Sequence, residues 1–156
     1  VSAAALVAGL AFALYRTTML PGLELGDSAS FQVMVGSPII TPRDAYPLYF
    51  AVADVLYWMT GGDPAVALNL ASVLEGAVAC GLLTIVAADL SGSAPAGAAA
   101  ATGFAGSYTY WSQSVIAEVY ALHVLLIALT LLLLLRWART SSTATLAAFF
   151  IVYAVS

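Results

Sequence analysis

Between residues 21 and 49, in the stretch PGLELGDSASFQVMVGSPIITPRDAYPLY, the chain gathers three carboxylates and an arginine: Glu24, Asp27, Arg43 and Asp44. A carboxylate can take a proton from a reacting hydroxyl, and a guanidinium can hold an anion through two parallel hydrogen bonds. The same residues also have plainer uses. Gly26-Asp27-Ser28 is common turn or helix-cap chemistry, and Arg43 can pair with Asp44 or Asp27. A second polar stretch, WSQSVIAEVYALH at 111–123, supplies Glu118, Tyr120 and His123. A lone histidine in such a place more often packs or meets solvent than holds a ligand. The single cysteine, Cys80, lies in an apolar run without a partner, so no disulfide framework and no metal site is expected.

The elements around the 21–49 stretch must hold it in place. Four of the six prolines fall inside it, and each lacks an N–H and pushes its predecessor out of helical geometry. It is therefore a structured loop, and polar chemistry concentrated on a loop is the first place to look for a site. Across all 156 residues, 63% are hydrophobic and 8% charged, where a soluble domain carries roughly a quarter charged residues. The expected fold class is all-α: a polytopic transmembrane helix bundle in a cell membrane, with a long external first loop containing surface helices. Membrane lipid is then a partner. Lysine is absent and the net charge is −4, which argues against nucleic acid and against a polybasic anchor.

Apolar runs place spans at about 1–20, 65–88, 96–110 and 114–135, a partial one at 144–156, and the loop at 21–64, all in one transmembrane domain covering 1–156. A cleaved signal peptide is the rival reading of the first run. The run 47–60 is short and carries Asp54, and an acid at mid-membrane costs about 2.5 to 3.5 kcal/mol on insertion scales, so it reads as a helix lying at the surface. Asn69, Ser72 and Glu75 fall along one face of their span, a face that should turn to protein or a cavity. Small residues four apart at Gly97/Ala101, Ala99/Gly103 and Thr102/Gly106 permit close helix approach. A continuous helix through 111–123 would put Trp111, Ser114 and Glu118 on one face and Gln113, Tyr120 and His123 on another. Arg136 and Arg139 mark a cytoplasmic end, which leaves Asp27 and Glu118 together on the external side. A first residue other than Met and a final apolar run of only 13 residues suggest a chain that continues in both directions.

Five pieces in order carry a resemblance: Pro21-Gly22, Gly26-Asp27-Ser28, Tyr46-Pro47-Leu48-Tyr49, Asn69-Leu70-x-Ser72, and 111–123 before a leucine-rich span ending in Arg136-Trp137. Together they resemble the multi-pass membrane glycosyltransferases of the GT-C class related to protein O-mannosyltransferases. The resemblance implies a GT-C-like fold and transfer of a mannose-like sugar from a polyprenyl-phosphate donor to a protein or glycan hydroxyl on the external face. No cofactor is implied with certainty; the lipid-linked sugar is a substrate. Asp27 stands at the position of the family's loop carboxylate and would be the catalytic base. By their own chemistry rather than by the resemblance, Arg43 is the candidate to bind the leaving phosphate, and Glu118, Tyr46, Tyr120 and His123 complete the substrate-binding candidates. Two departures stand out. Ser30 replaces the second acid of the pattern, and Thr41-Pro42-Arg43-Asp44-Ala45 replaces a His-Pro-Pro-Gly run. They keep two other readings open, a non-catalytic membrane partner of the same fold and a transporter subunit, although no internal repeat favours the latter.

Overall fold

The computed structural model describes residues 2–36 and 46–155. Among them are eight helices and no strand: α1 (Ser2–Thr18), α2 (Asp27–Met34), α3 (Pro47–Met59), α4 (Pro64–Ser91), α5 (Ala94–Ala105), α6 (Tyr108–Ser114), α7 (Tyr120–Thr140) and α8 (Thr143–Val155). The fold is all-helical, as composition requires. At 1.5 Å per residue α4 and α7 are about 42 and about 31 Å long, and both are apolar enough to cross a hydrocarbon core of about 30 Å. α1, α3 and α8 are apolar but shorter.

α4 is the hub, packing against α1, α3, α5 and α7 and touching α2 and α6. Its start is written in the sequence. The chain reverses after α3 through Gly61 and Gly62, at φ 76° and 88°, a region that side chains with a Cβ rarely enter. The Asp63 carboxylate then accepts the Val66 N–H at 3.0 Å, and Pro64 takes the first turn, where its missing N–H is not needed. Gly92, in the left-handed region, closes the other end.

In lipid, apolar contact drives helix association weakly, so small residues and interhelical hydrogen bonds matter more. Gly97, Ala101 and Ala105 form the buried face of α5, and a Cβ on Gly97 would stand 2.6 Å from the Ala88 nitrogen and the Thr84 oxygen of α4. α1 buries Ala4, Val7, Ala11 and Tyr15, and the Tyr15 hydroxyl donates to the Ala105 carbonyl at 2.9 Å, tying α1 to α5. Asn69, Ser72 and Glu75 turn inward from α4, at most 5% exposed. At the far end Arg139 pairs with Asp89 at 3.2 Å and also donates to its carbonyl at 3.0 Å, holding the ends of α7 and α4 together.

Two expected runs are divided differently. The run at 96–110 is the 12-residue α5 followed by the short α6, and at about 18 Å α5 alone falls short of a bilayer core. Ser107 makes the break: its backbone is extended and its hydroxyl donates to the Phe104 carbonyl at 2.7 Å. The helix expected over 114–135 begins only at Tyr120 and continues to Thr140. Residues 115–119 are drawn out of helical pairing by partners elsewhere. Leu20 N–H donates to the Val115 carbonyl at 3.0 Å, and the Ser72 hydroxyl to the Glu118 carbonyl at 3.3 Å.

Candidate functional site

Asp27 opens α2, directly after Gly26 at φ 79°. A carboxylate in the first turn complements the partial positive charge of the helix end. The Asp27 side chain is exposed, whereas its neighbour Ser28 is buried and points inward. Ser28 Oγ donates to Glu118 Oε1 at 2.9 Å. One turn on, buried Gln32 donates through Nε2 to Asn69 Oδ1 at 3.1 Å, and its side-chain Oε1 accepts the Glu24 N–H at 3.1 Å. Asn69 in turn donates to the carbonyls of Leu20 at 2.9 Å and Gly22 at 3.1 Å. A buried amide left without partners would cost about 1–3 kcal/mol. Here both amides are engaged, and they staple α2 and the start of the loop to α4.

Glu118 sits in the irregular segment between α6 and α7. Ser72 brackets its backbone, accepting from the Glu118 N–H at 3.4 Å and donating to its carbonyl. The carboxylate is thereby directed to Ser28. The face shared by Trp111, Ser114 and Glu118 in a continuous helix does not survive this break. Trp111 donates to Thr18 Oγ1 at 2.9 Å, and Ser114 donates to the Tyr110 carbonyl at 2.8 Å.

Beside Glu118 opens an apolar groove of about 530 Å³ between the starts of α3 and α7 and the end of α8. Leu48, Leu122 and Leu126 line it, with Tyr46, Tyr120 and His123 contributing polar tips. Those three side chains are exposed. The volume is in the range of small-molecule sites, and the pattern of apolar walls with few polar groups is theirs too. Phe31 of α2 packs edge-on against Tyr46, Tyr49 and Phe50, so α2 is joined to the groove wall by rings as well as through Ser28.

Tyr46, Tyr120 and His123 thus share one groove, and Glu118 lies next to it in the chain and against the residue following Asp27. Arg43 lies outside the described residues. Sequence reasoning gave Tyr49 no role in the site. Its ring lines the groove while its hydroxyl is buried without a hydrogen-bond partner. Burial pushes the Tyr49 phenol far above its ordinary pKa, and the nearby Glu75 and Glu118 carboxyls push it further. The phenol therefore stays neutral.

A family model described as "Protein O-mannosyl-transferase TMEM260 N-terminal domain" matches residues 43–156. The match includes Arg43, Tyr46, Glu118, Tyr120 and His123 and leaves Asp27 outside it. No curated protein and no solved structure matches the chain. With well over half of its residues under that match, in an all-helical fold with two helices of membrane length, the chain belongs to the protein O-mannosyl-transferase TMEM260 N-terminal domain family.

Proposed function

We propose that the protein transfers a mannose-like sugar from a polyprenyl-phosphate donor to a protein or glycan hydroxyl, within a GT-C-like, multi-pass bundle whose loop faces the exterior. The observation that carries this reading is the apolar groove beside Glu118, whose carboxylate is bonded to Ser28, the residue following Asp27. An isoprenoid chain suits the leucine-lined wall, and the rim hydroxyls of Tyr46 and Tyr120 and the His123 ring suit a sugar or phosphate at its head. In the reaction the acceptor oxygen bonds to the anomeric carbon as the bond from that carbon to the phosphate oxygen breaks. The departing polyprenyl phosphate keeps the electron pair, and Asp27 takes the acceptor proton. Arg43 is the residue proposed to meet the leaving phosphate, because its guanidinium can bind two oxygens at once.

Glu118 is in this scheme a positioning residue, since it acts on Asp27 through Ser28. The test is release of labelled sugar from polyprenyl phosphate onto acceptor in reconstituted membranes. Asp27→Asn should lower turnover about 10²- to 10⁴-fold, the usual effect of losing a general base, while donor binding is kept. Turnover at the wild-type rate would make Asp27 a helix-start residue and nothing more.

A further inference from the structure

The residues that lead into Asp27 alternate. Leu20, Gly22 and Glu24 are half-buried, whereas Pro21, Leu23 and Leu25 between them are exposed, which is the pattern of an extended chain. Such a segment needs partners for its inward N–H and C=O groups, and no strand lies beside it among the described residues. Two side-chain amides take the place of one. Asn69 Nδ2 donates to the Leu20 carbonyl at 2.9 Å and to the Gly22 carbonyl at 3.1 Å, and Gln32 Oε1 accepts the Glu24 N–H at 3.1 Å. The amides are themselves joined, Gln32 Nε2 to Asn69 Oδ1 at 3.1 Å, and neither side chain is exposed.

These contacts are half of a ring. Gln32 and Ser28 are four residues apart on the buried face of α2. Ser28 Oγ reaches the Glu118 carboxylate at 2.9 Å, and the Glu118 carbonyl accepts from the Ser72 hydroxyl at 3.3 Å. Ser72 is three residues after Asn69 on α4, so the ring leaves one face of that helix and returns to it. Asn69 and Gln32 hold the side that carries Asp27. Ser72 and Glu118 hold the side that leads to Tyr120 and His123 at the groove. A buried polar network whose members all have partners is rigid, and here α4 is the common ruler for both sides.

We infer that Asn69 and Gln32 are positioning residues for the transfer proposed above, fixing where Asp27 stands relative to the groove; the assignment rests on that reading of Asp27. Both are fully buried, so they act through Asp27 rather than on the substrate. The experiment uses the purified protein in lipid nanodiscs with two variants, Gln32→Met, which keeps the length of the side chain, and Asn69→Ala. A misplacement of about 1 Å can cost about 10²-fold in rate, so each variant should lower kcat about 10²-fold with KM for the polyprenyl-phosphate sugar nearly unchanged. In either background Asp27→Asn should cost much less than in the wild type, because the carboxylate is already out of place. Fully additive losses overturn the inference, since a merely structural role leaves the worth of Asp27 untouched. A second measurement needs no turnover. Nitroxide labels at Ser30→Cys on α2 and at Ser141→Cys, both exposed positions, report the placement of α2 by pulsed EPR, and fully buried Cys80 takes no label. The distance distribution should be narrow in the parent and broadened or shifted in both amide variants; a distribution unchanged in both overturns the inference even if their activity falls. If Asp27→Asn alone turns over at the wild-type rate, the transfer reading fails instead, and the labels decide whether the amides hold α2. Should Asn69→Ala not fold, Gln32→Met carries the test beside Gln32→Glu, which keeps the acceptor for Glu24 and loses the donor to Asn69.

Discussion

Ser28 and Glu118 are 90 positions apart in the chain and 2.9 Å apart in space, and that bond is how the segment before α7 reaches the residue beside Asp27. A hydrogen bond to a charged group contributes about 1.5–3 kcal/mol. If it positions α2, Glu118→Ala should lower kcat about tenfold or more and leave KM for the donor nearly unchanged. Glu118→Gln should retain most activity, since the amide oxygen can still accept from Ser28. Ser28→Ala should resemble Glu118→Ala, and the double variant should be no worse than either single one, because both remove the same contact. Additive losses in the steady-state kinetics would assign Glu118 a separate role, in direct contact with substrate.

At the scale of elements, the close approach of α5 to α4 rests on one glycine. A Cβ at Gly97 would meet α4 backbone at 2.6 Å, and backbone does not yield as a side-chain tip does. Gly103, on the same helix, faces open space. Gly97→Leu should therefore lower stability by at least the ~1–3 kcal/mol typical of overpacking, whereas Gly103→Leu should be neutral or mildly stabilising through helix propensity. Thermal unfolding of the two variants in one detergent decides it; equal effects would mean that α5 is not held by that contact. The breaks that bound α6 work the other way. They shorten helices in order to free Val115 and Glu118 for partners on the loop and on α4.

For the whole molecule, α7 runs about 31 Å from the groove at Tyr120 to the pair formed by Arg139 and Asp89. Asp27 and the arginine pair thus lie at opposite ends. With basic residues marking the cytoplasmic side, the loop end should face the exterior. Cysteines introduced at Ser30 and Ser141, both exposed, should be labelled by an impermeant thiol reagent from opposite sides of sealed vesicles, while native Cys80 is fully buried and stays silent. Labelling of both from one side would reject this orientation and, with it, the exterior location proposed for the site.

What the sequence determined by itself was what local chemistry and composition can determine. So apolar a chain had to be helical and meet lipid, prolines had to interrupt the first loop, and Asn69, Ser72 and Glu75 had to share a face turned from lipid. The order of five short pieces also pointed to the family that the match over 43–156 identifies. Tertiary structure decided the rest, because it turned on which distant groups compete for the same hydrogen bonds. Nothing in the leucine-rich run announces that it starts at Tyr120; Leu20 and Ser72, far away in the chain, claim the carbonyls of Val115 and Glu118 that a longer helix would have used. The same break turns Glu118 to Ser28, and the packing of α3 on α4 brings the unpartnered Tyr49 hydroxyl near Glu75. Helical periodicity describes one element at a time, and each of these contacts lies between two.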